Sequence, residues 1–214
     1  MRNFLSGLLV MLAAVAVGCQ RQHDVSMSEP SIGTVIFFQG RALINGQQPA
    51  TIGATVKHGD TLVTGDNSAC EITVRNKNVM RLGANSALVF NLSEDDNRLL
   101  LIRGRLTAVC RKLMTKQAQF TVETPTAVAG IRGTSFFIGV ESPDSSYFCV
   151  CNGSVRLNDT TVTSPHHAGV RFVRNAKGQI TKDNHPGMLY HGDADLETLA
   201  AKIGEKINWK TPDR

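Results

Sequence analysis

The sequence predicts an all-β domain followed by one helix near the C-terminus, and three observations support this. From residue 31 to about residue 157, short runs of β-forming residues follow one another, separated by Gly, Asn and Asp. No helical crossover, which a parallel α/β sheet would need, lies between these runs. Helical spacing of apolar residues occurs only at about residues 194–208. We therefore expect many short strands arranged as a sandwich, barrel or solenoid.

The predicted strands are separated by turn sequences such as Gly59-Asp60, Gly65-Asp66-Asn67 and Asn152-Gly153. Each run is rich in Val, Ile, Leu, Thr and Phe, as strands usually are. The runs are residues 34–38, 41–44, 61–64, 70–75, 79–82, 87–92, 99–102, 106–110, 119–123, 135–140, 147–151 and 154–157.

The predicted helix can be capped by Asp193 or Asp195. We expect its apolar stripe to pack on the β domain, and contact with a partner or a membrane surface is the alternative. The stripe consists of Leu196, Leu199, Ala200, Ile203 and Ile207.

The N-terminus has the pattern of a lipoprotein signal peptide at residues 1–18. Arg2 precedes an apolar run at 8–17, which is too short to span a membrane, and small residues lead to Cys19. We expect cleavage before Cys19 and attachment of acyl chains such as palmitate to the protein at that residue. The alternative is an ordinary cleaved signal with a chance cysteine.

Residues 19–30 are polar and predict a tether between the lipid and the domain. Gln20, rather than Asp, follows the cysteine, which favours the periplasmic face of the outer membrane. The net charge of +5 falls to +4 when Arg2 is removed with the signal. This small excess suits an anionic membrane surface or an acidic glycan, and no nucleic-acid recognition motif is present.

Four segments carry a resemblance to the FecR-domain family. They are VKHGDTLVTG at 56–65, LGANS at 82–86, TPTAVAGIRGTSF at 124–136 and NGSVRL at 152–157. The resemblance implies a β-rich, solenoid-like fold and a role in sensing or interaction at the cell envelope. Together with the patterns above, it gives a FecR-like domain at 31–160 and a C-terminal extension at 161–214.

The namesake FecR proteins signal to a cytoplasmic sigma factor through a cytoplasmic region and a membrane-spanning helix. We identify neither feature in this sequence, so we do not expect contact with a sigma factor. An envelope protein or glycan is the expected partner. The alternative is a structural or peptidoglycan-associated lipoprotein that binds no metal.

The GIRG sequence at 130–133 predicts a tight backbone corner. Gly130 and Gly133 permit chain paths that a Cβ would obstruct, and Arg132 lies between them. The corner is either structural or an anion-binding site.

Cys149 and Cys151 fall on one face of a predicted strand. Such positions lie about 6.6–6.8 Å apart, near the outer limit for a disulfide. Two thiolates on one face suit a transition metal, and His166, His167 and His191 can add imidazole ligands for zinc, copper or iron. This part of the chain resembles a subset of FecR-like sequences that have a Cys-x-Cys strand, a His-His segment and a His-x-Asp sequence before the last helix. Disulfides to other cysteines, or inert side chains, are the alternatives.

Cys70 and Cys110 share strand faces with apolar residues, so we expect both to point into the core. They form either a disulfide or two buried thiols. No catalytic motif for acyl transfer, phosphate binding or metalloprotease chemistry is present, so we do not expect an enzyme. A metal-dependent enzyme is the least favoured alternative.

Overall fold

The computed structural model describes residues 31–75, 78–93, 97–111, 120–184 and 186–212. The predictions for the signal peptide, Cys19 and the tether lie outside these residues. Among the described residues, no helix has the length and hydropathy that a membrane span requires.

The described chain folds into strands and one C-terminal helix, as the sequence predicts. The elements are β1 (Gly33–Gln39), β2 (Ala42–Ile44), β3 (Gln48–Pro49), β4 (Thr55–Val56), β5 (Thr61–Thr64), β6 (Ala69–Val74), β7 (Asn78–Leu82), β8 (Ala87–Leu92), β9 (Asn97–Cys110), β10 (Phe120–Glu123), β11 (Val128–Ile131), β12 (Ser135–Ser142), β13 (Ser145–Leu157), β14 (Thr160–Ser164), β15 (Ala168–Arg174), β16 (Ile180–Asp183) and α1 (Asp193–Ala201).

The strands form two layers that share β9 and β13. Sheet A has the order β4-β1-β6-β7-β9-β12-β13-β15-β16, and sheet B has the order β3-β2-β5-β8-β9-β10-β11-β13-β14. Neighbouring strands are antiparallel except β9 and β10, which are parallel. The expected all-β fold is therefore a two-sheet architecture held together by two long strands.

Each long strand passes from one sheet to the other at a glycine. In β9 the change occurs at Gly104, where φ is 84°, and in β13 at Gly153, where φ is 115°. Residues other than glycine rarely adopt these φ angles. At Gly104 an added Cβ would also lie 2.0 Å from the Ser86 Oγ.

These bends correct the sequence prediction at two places. The predicted strands 99–102 and 106–110 are one strand, β9, and the predicted strands 147–151 and 154–157 are one strand, β13. Asn152-Gly153 is therefore a bend within a strand rather than a turn. Three further strands, β14 to β16, extend the two sheets from Thr160 onward.

The alternation of side chains along sheet A divides its apolar residues between two clusters. The inner core lies between the sheets and includes Val35, Leu62, Phe90, Leu99, Val122 and Phe136. The outer core lies on the opposite face of sheet A, and residues 186–212, which we call the C-terminal segment, cover it. Its buried residues are Val79, Val109, Phe137, Tyr147, Cys149, Cys151, Leu196, Leu199 and Ala200.

Helix α1 packs against β7 and β9 through Leu196, Leu199 and Ala200, as its apolar stripe predicted. It is shorter than predicted and ends at Ala201, because the following N–H groups bond to carbonyls three residues back and Gly204 adopts a φ of 71°. Ile203 and Ile207 still pack against the outer core, although neither lies in the helix.

The beginning of α1 also differs from the prediction. Gly192 occupies the N-cap, and the Asp195 carboxylate accepts a hydrogen bond from its N–H at 3.0 Å. Asp193 caps nothing, because its carboxylate is hydrogen-bonded to two histidines.

Candidate metal centre

Strand β13 places Cys149 and Cys151 on the outer face of sheet A, and Phe148 and Val150 point into the inner core. The expected sharing of one face by the two cysteines is confirmed. Both are free thiols, and their exposed fractions are 1% and 0%. Because the C-terminal segment covers this face, the two sulfurs lie between the sheet and that segment.

Two histidines bring ring nitrogens to these sulfurs. His167 precedes β15 and has a left-handed φ of 47°, and its Nδ1 lies 3.4 Å from the Cys149 Sγ. His191 belongs to the C-terminal segment, and its Nε2 lies 3.3 Å from the Cys151 Sγ. The two ring nitrogens are 3.3 Å apart. We call Cys149, Cys151, His167 and His191 the Cys/His cluster.

The spacing of the four atoms suits a tetrahedral ion. All four lie within 4.8 Å of one another. With bonds of about 2.3 Å to sulfur and about 2.05 Å to nitrogen, a tetrahedral zinc site would place sulfur and nitrogen about 3.5 Å apart and two nitrogens about 3.3 Å apart. The two sulfur–nitrogen distances and the nitrogen–nitrogen distance given above agree with these values, so the cluster could hold a metal ion.

The opposite nitrogen of each histidine is also hydrogen-bonded. His167 Nε2 lies 2.7 Å from the Asp193 carboxylate, and His191 Nδ1 lies 2.7 Å from the Leu189 carbonyl oxygen. Partners of these types fix the tautomer of metal-binding histidines and leave the other nitrogen free to coordinate. Both histidines therefore present an unprotonated nitrogen to the sulfurs when their other nitrogen donates.

Aromatic rings hold the two imidazoles in place. The ring of Phe137 stacks on that of His191, with centroids 4.4 Å apart and an angle of 5°. Trp209 stacks on His167 with centroids 5.3 Å apart. These contacts limit ring rotation and help to exclude water from the cluster.

The two thiols of the cluster are electrostatically unequal. Hydrogen bonding from Cys151, aided by His167 and His191 against the effect of burial, holds the pKa of Cys149 well below its ordinary value. Burial, together with the neighbouring Cys149, raises the pKa of Cys151. The pKa values of the two thiols are thus shifted in opposite directions, and Cys149 and Asp193 raise the pKa of His167 against the effect of burial.

The chemistry of this arrangement has two interpretations. Cys149, His167 and Asp193 stand in the order of a nucleophile, a base and an orienting acid. However, a nucleophile needs access to its substrate, and Cys149 is buried under the C-terminal segment. Two sulfurs and two nitrogens converging in a buried position match a closed metal site better.

The structure brings together four of the five predicted ligands. His166 is separate, because its Nε2 lies 3.0 Å from both oxygens of Asp193 and its side chain is half exposed. His166, His167 and Asp193 form a second group of potential ligand atoms. This second group has His167 in common with the Cys/His cluster, and its Asp193 orients the ring of His167. We therefore assign the second group a supporting role.

Cys70 and Cys110 are free thiols in the inner core, as the prediction of buried side chains required. The proposed bridge between them is not formed. Cys70 pairs with Leu82 at one end of β7, and Cys110 pairs with Asn78 at the other. Four residues of extended strand are about 13 Å, which no disulfide spans.

The predicted corner lies on sheet B. Gly133 has a φ of 60° and is buried, as a tight chain path requires. Arg132 is exposed and, with Arg98, Arg156 and Gly130, lines an open groove. These positions are compatible with both interpretations of the corner.

Sequence reasoning missed the roles of Asp193, Phe137 and Trp209. The His-Gly-Asp sequence at 191–193 was a usable signal for Asp193, because a carboxylate near histidines often orients them. The two aromatic rings had no such signal, since they reach the cluster from β12 and from the end of the C-terminal segment.

Comparisons with known proteins bear on the domain. Residues 60–156 match the family model described as FecR protein. Solved structures similar to this chain include two crystal structures of a "putative anti-sigma factor" from Parabacteroides distasonis, at 17% and 16% identity and a TM-score of 0.45 each. The similarity covers 58% of this chain and 59% of that chain, so this chain spans about three-fifths of that protein's length.

No curated protein matches the chain. The residues that match the family model begin one residue before β5 and end one residue before the end of β13. They include all of β9, most of β13 and both cysteines of the cluster. The match and the strands together support a FecR-like domain fold for this part of the chain.

Proposed function

We propose that this protein is a FecR-domain interaction module of the bacterial envelope that binds one zinc ion at the Cys/His cluster. The observation that supports the metal is the convergence of four ligand atoms within 4.8 Å, with a hydrogen-bonded partner behind each histidine. The FecR domain supports the interaction role. Attachment to the membrane through Cys19 belongs to the same proposal and rests on the signal sequence.

Zinc suits the cluster better than copper or iron. Two thiolates and two imidazoles in a tetrahedral arrangement are a common ligand set of structural zinc. A cluster with four protein ligands leaves no position for a substrate, and its buried sulfurs lie out of contact with solvent. We therefore propose a structural ion, which adds stability and leaves partner binding to the surface of the domain.

Metal analysis of protein purified without a histidine tag tests the proposal. We expect one zinc ion per chain in the wild type and loss of zinc in Cys149→Ala and His191→Ala. Cys110→Ala and His166→Ala are matched controls, because Cys110 is a buried cysteine of the inner core and His166 lies beside the cluster. Both controls should retain zinc.

Equal, substoichiometric zinc in wild type and Cys149→Ala would reject the metal site and favour the alternative of an envelope lipoprotein without metal. Where the wild type binds zinc, replacing the zinc by cobalt(II) reports the ligand geometry, because thiolate ligation gives a charge-transfer absorption that Cys149→Ala should lose.

The intact mass of protein made in a lipoprotein-processing host tests the acylation of Cys19. Cleavage without added acyl mass would reject the lipid anchor.

A further inference from the structure

We propose that zinc binding and docking of the C-terminal segment onto sheet A are a single coupled event, so that loss of zinc releases the segment while the FecR domain stays folded. This inference rests on the proposed metal site. It makes the cluster a metal-dependent latch that covers or exposes the outer face of the sheet.

The ligands come from two separate parts of the chain. Cys149 and Cys151 belong to β13, and His167 belongs to the turn before β15, so three ligands are fixed by the sheet. The fourth, His191, belongs to the C-terminal segment, as does Asp193, which orients His167. An ion bound by all four therefore joins the segment to the sheet.

The segment passes very close to the sheet near the cluster. An added Cβ on Gly169 would lie 2.5 Å from the Gly187 carbonyl oxygen. The hydroxyl of Tyr147 donates to the same carbonyl at 2.8 Å and accepts from the Leu189 N–H at 3.2 Å. These contacts align His191 with the sulfurs and depend on the segment being docked.

The remaining contacts of the segment combine apolar packing with hydrogen bonds and ion pairs. Helix α1 has nine residues, and helices this short are not stable in water without packing. Its C-terminal end is held by Lys202, whose Nζ lies 2.5 Å from the buried carboxylate of Glu71. Arg81 binds the same carboxylate from the sheet at 2.6 Å.

The backbone on both sides of the cluster has a left-handed φ, which is strained at Tyr190. His167 and Tyr190 have left-handed φ angles of 47° and 69°. Apart from Arg75, the other non-glycine residues with such angles in the described chain are asparagines, which tolerate this conformation, as histidine does, better than tyrosine. Strain of this kind persists only where surrounding contacts hold it, and a metal bond to the adjacent His191 is such a contact for Tyr190.

The outer face of sheet A changes character when the segment leaves. Val79, Val109 and Phe137 are buried by the segment, and all three would face solvent. The inner core keeps its residues, because it lies between the two sheets and contains none from the segment. Release is therefore local and does not require unfolding of the domain.

The single tryptophan of the chain provides a direct probe. Trp209 lies in the segment and stacks on His167. On removal of zinc by a chelator we expect its emission to shift to longer wavelength. Hydrogen exchange of 193–201 should accelerate at least about tenfold, while β7 and β9 remain protected.

Zinc content measured on the same samples separates this inference from the proposed function. If one zinc ion is bound and its removal changes neither Trp209 emission nor exchange in α1, the latch is wrong and the metal site stands. If removal also deprotects β7 and β9, the latch is equally wrong, because zinc then stabilises the whole domain. If no zinc binds, both proposals fail.

Reciprocity gives a second test that leaves every ligand in place. Leu199 is a fully buried residue of α1 that packs against sheet A, and Leu88 is equally buried in the inner core. Because coupling acts in both directions, Leu199→Ala should weaken zinc affinity about tenfold in competition with a chromophoric chelator. Leu88→Ala, which destabilises the domain but not the docking, should leave the affinity of the folded protein unchanged. Equal affinities in the two variants would overturn the coupling.

Discussion

The two cores of this protein differ in what covers their apolar side chains. The inner core lies between two sheets, is almost entirely apolar, and draws its residues from strands along the whole domain. The outer core has one sheet face on one side and only the C-terminal segment on the other. The segment is held to the sheet by hydrogen bonds and ion pairs as well as by apolar packing, whereas apolar packing between two sheets dominates in the inner core.

The cysteines of the two cores also differ in their surroundings. In the inner core, desolvation and the nearby Glu71 raise the pKa of Cys70 to about 12, and burial raises the pKa of Cys110 further. These thiols stay protonated and act as small apolar side chains. In the outer core, Cys149 and Cys151 face ring nitrogens at about hydrogen-bond distance and form part of a polar cluster.

The largest expected effect comes from a cavity in the inner core. Phe90 is fully buried, and Phe90→Ala should lower the free energy of unfolding by about 3–5 kcal/mol. The loss should be the same with zinc and with a chelator, because Phe90 contacts neither the segment nor the cluster. Urea unfolding followed by far-UV circular dichroism measures it, with the exposed Phe38→Ala as the control.

A zinc-dependent loss in Phe90→Ala would show that the two cores are not separate. The two cores would then unfold as one cooperative unit.

The second prediction concerns thiol reactivity. With a chelator present, alkylation of Cys149 and Cys151 in the folded protein should be at least about 100-fold faster than that of Cys70 and Cys110. Release of the segment exposes the first pair, whereas the second pair stays protonated between the sheets. Mass spectrometry of alkylated peptides over time measures the rates, and added zinc should suppress the difference. Similar rates at all four cysteines would contradict the separation of the cores.

Sequence reasoning predicted the strands well where one strand corresponds to one apolar run. Residues 61–64 and 87–92 match β5 and β8 at both ends. It failed at Gly104 and Gly153, because a glycine with a left-handed φ has the same sequence signature in a turn and in a bend within a strand. Which of the two occurs depends on the partners of the flanking residues, and these are distant in the chain.

The sequence predicted that cysteines and histidines form the candidate site, but it did not predict which histidines lie beside the two sulfurs. Period-two alternation placed Cys149 and Cys151 on one face, which depends only on local geometry. The choice of His167 over its neighbour His166 depends on the left-handed φ of His167 and on the position of Asp193, and neither follows from local pattern. The missing Cys70–Cys110 bridge depends on the register of β7, which the sequence did not determine.

The third prediction weakens the outer core alone. Asn152 is fully buried, and its Nδ2 atom donates to the carbonyls of Pro165, Asn208 and Thr211 at 2.8–3.0 Å. Asn152→Ala would leave these carbonyls without that donor and should cost about 1–3 kcal/mol.

We expect this cost to appear in the unfolding transition reported by Trp209 emission and to be smaller in the transition reported by circular dichroism. Asn158→Ala is a control, since the Asn158 side chain accepts from the Val128 N–H on sheet B, away from the segment. Identical shifts in both transitions would show that Asn152 stabilises the domain rather than the docking.

The smallest effect is a pH dependence at the edge of the outer core. The carboxylate of Glu141 accepts hydrogen bonds from three side chains, at 2.7–2.9 Å: Arg171, Ser145 and Tyr190. Partial burial raises the pKa of Glu141, but these bonds and the Arg171 charge outweigh it and hold the pKa below its ordinary value of 4.5. Tyr190 belongs to the C-terminal segment, so the ionised carboxylate helps to hold that segment in place.

A carboxyl group whose pKa is lowered by folding stabilises the protein above its unfolded pKa, and this stabilisation is lost as the pH falls through the folded value. We therefore expect a loss of less than about 1 kcal/mol below pH 4.5 that Glu141→Gln abolishes, since the site is partly open to solvent. Asp144→Asn, at an exposed ion pair with Arg174, is the matched control and should keep the dependence. Because Tyr190 connects Glu141 to the segment, the loss should be larger in Trp209 emission than in circular dichroism. An equal loss in both would place Glu141 with the inner core instead.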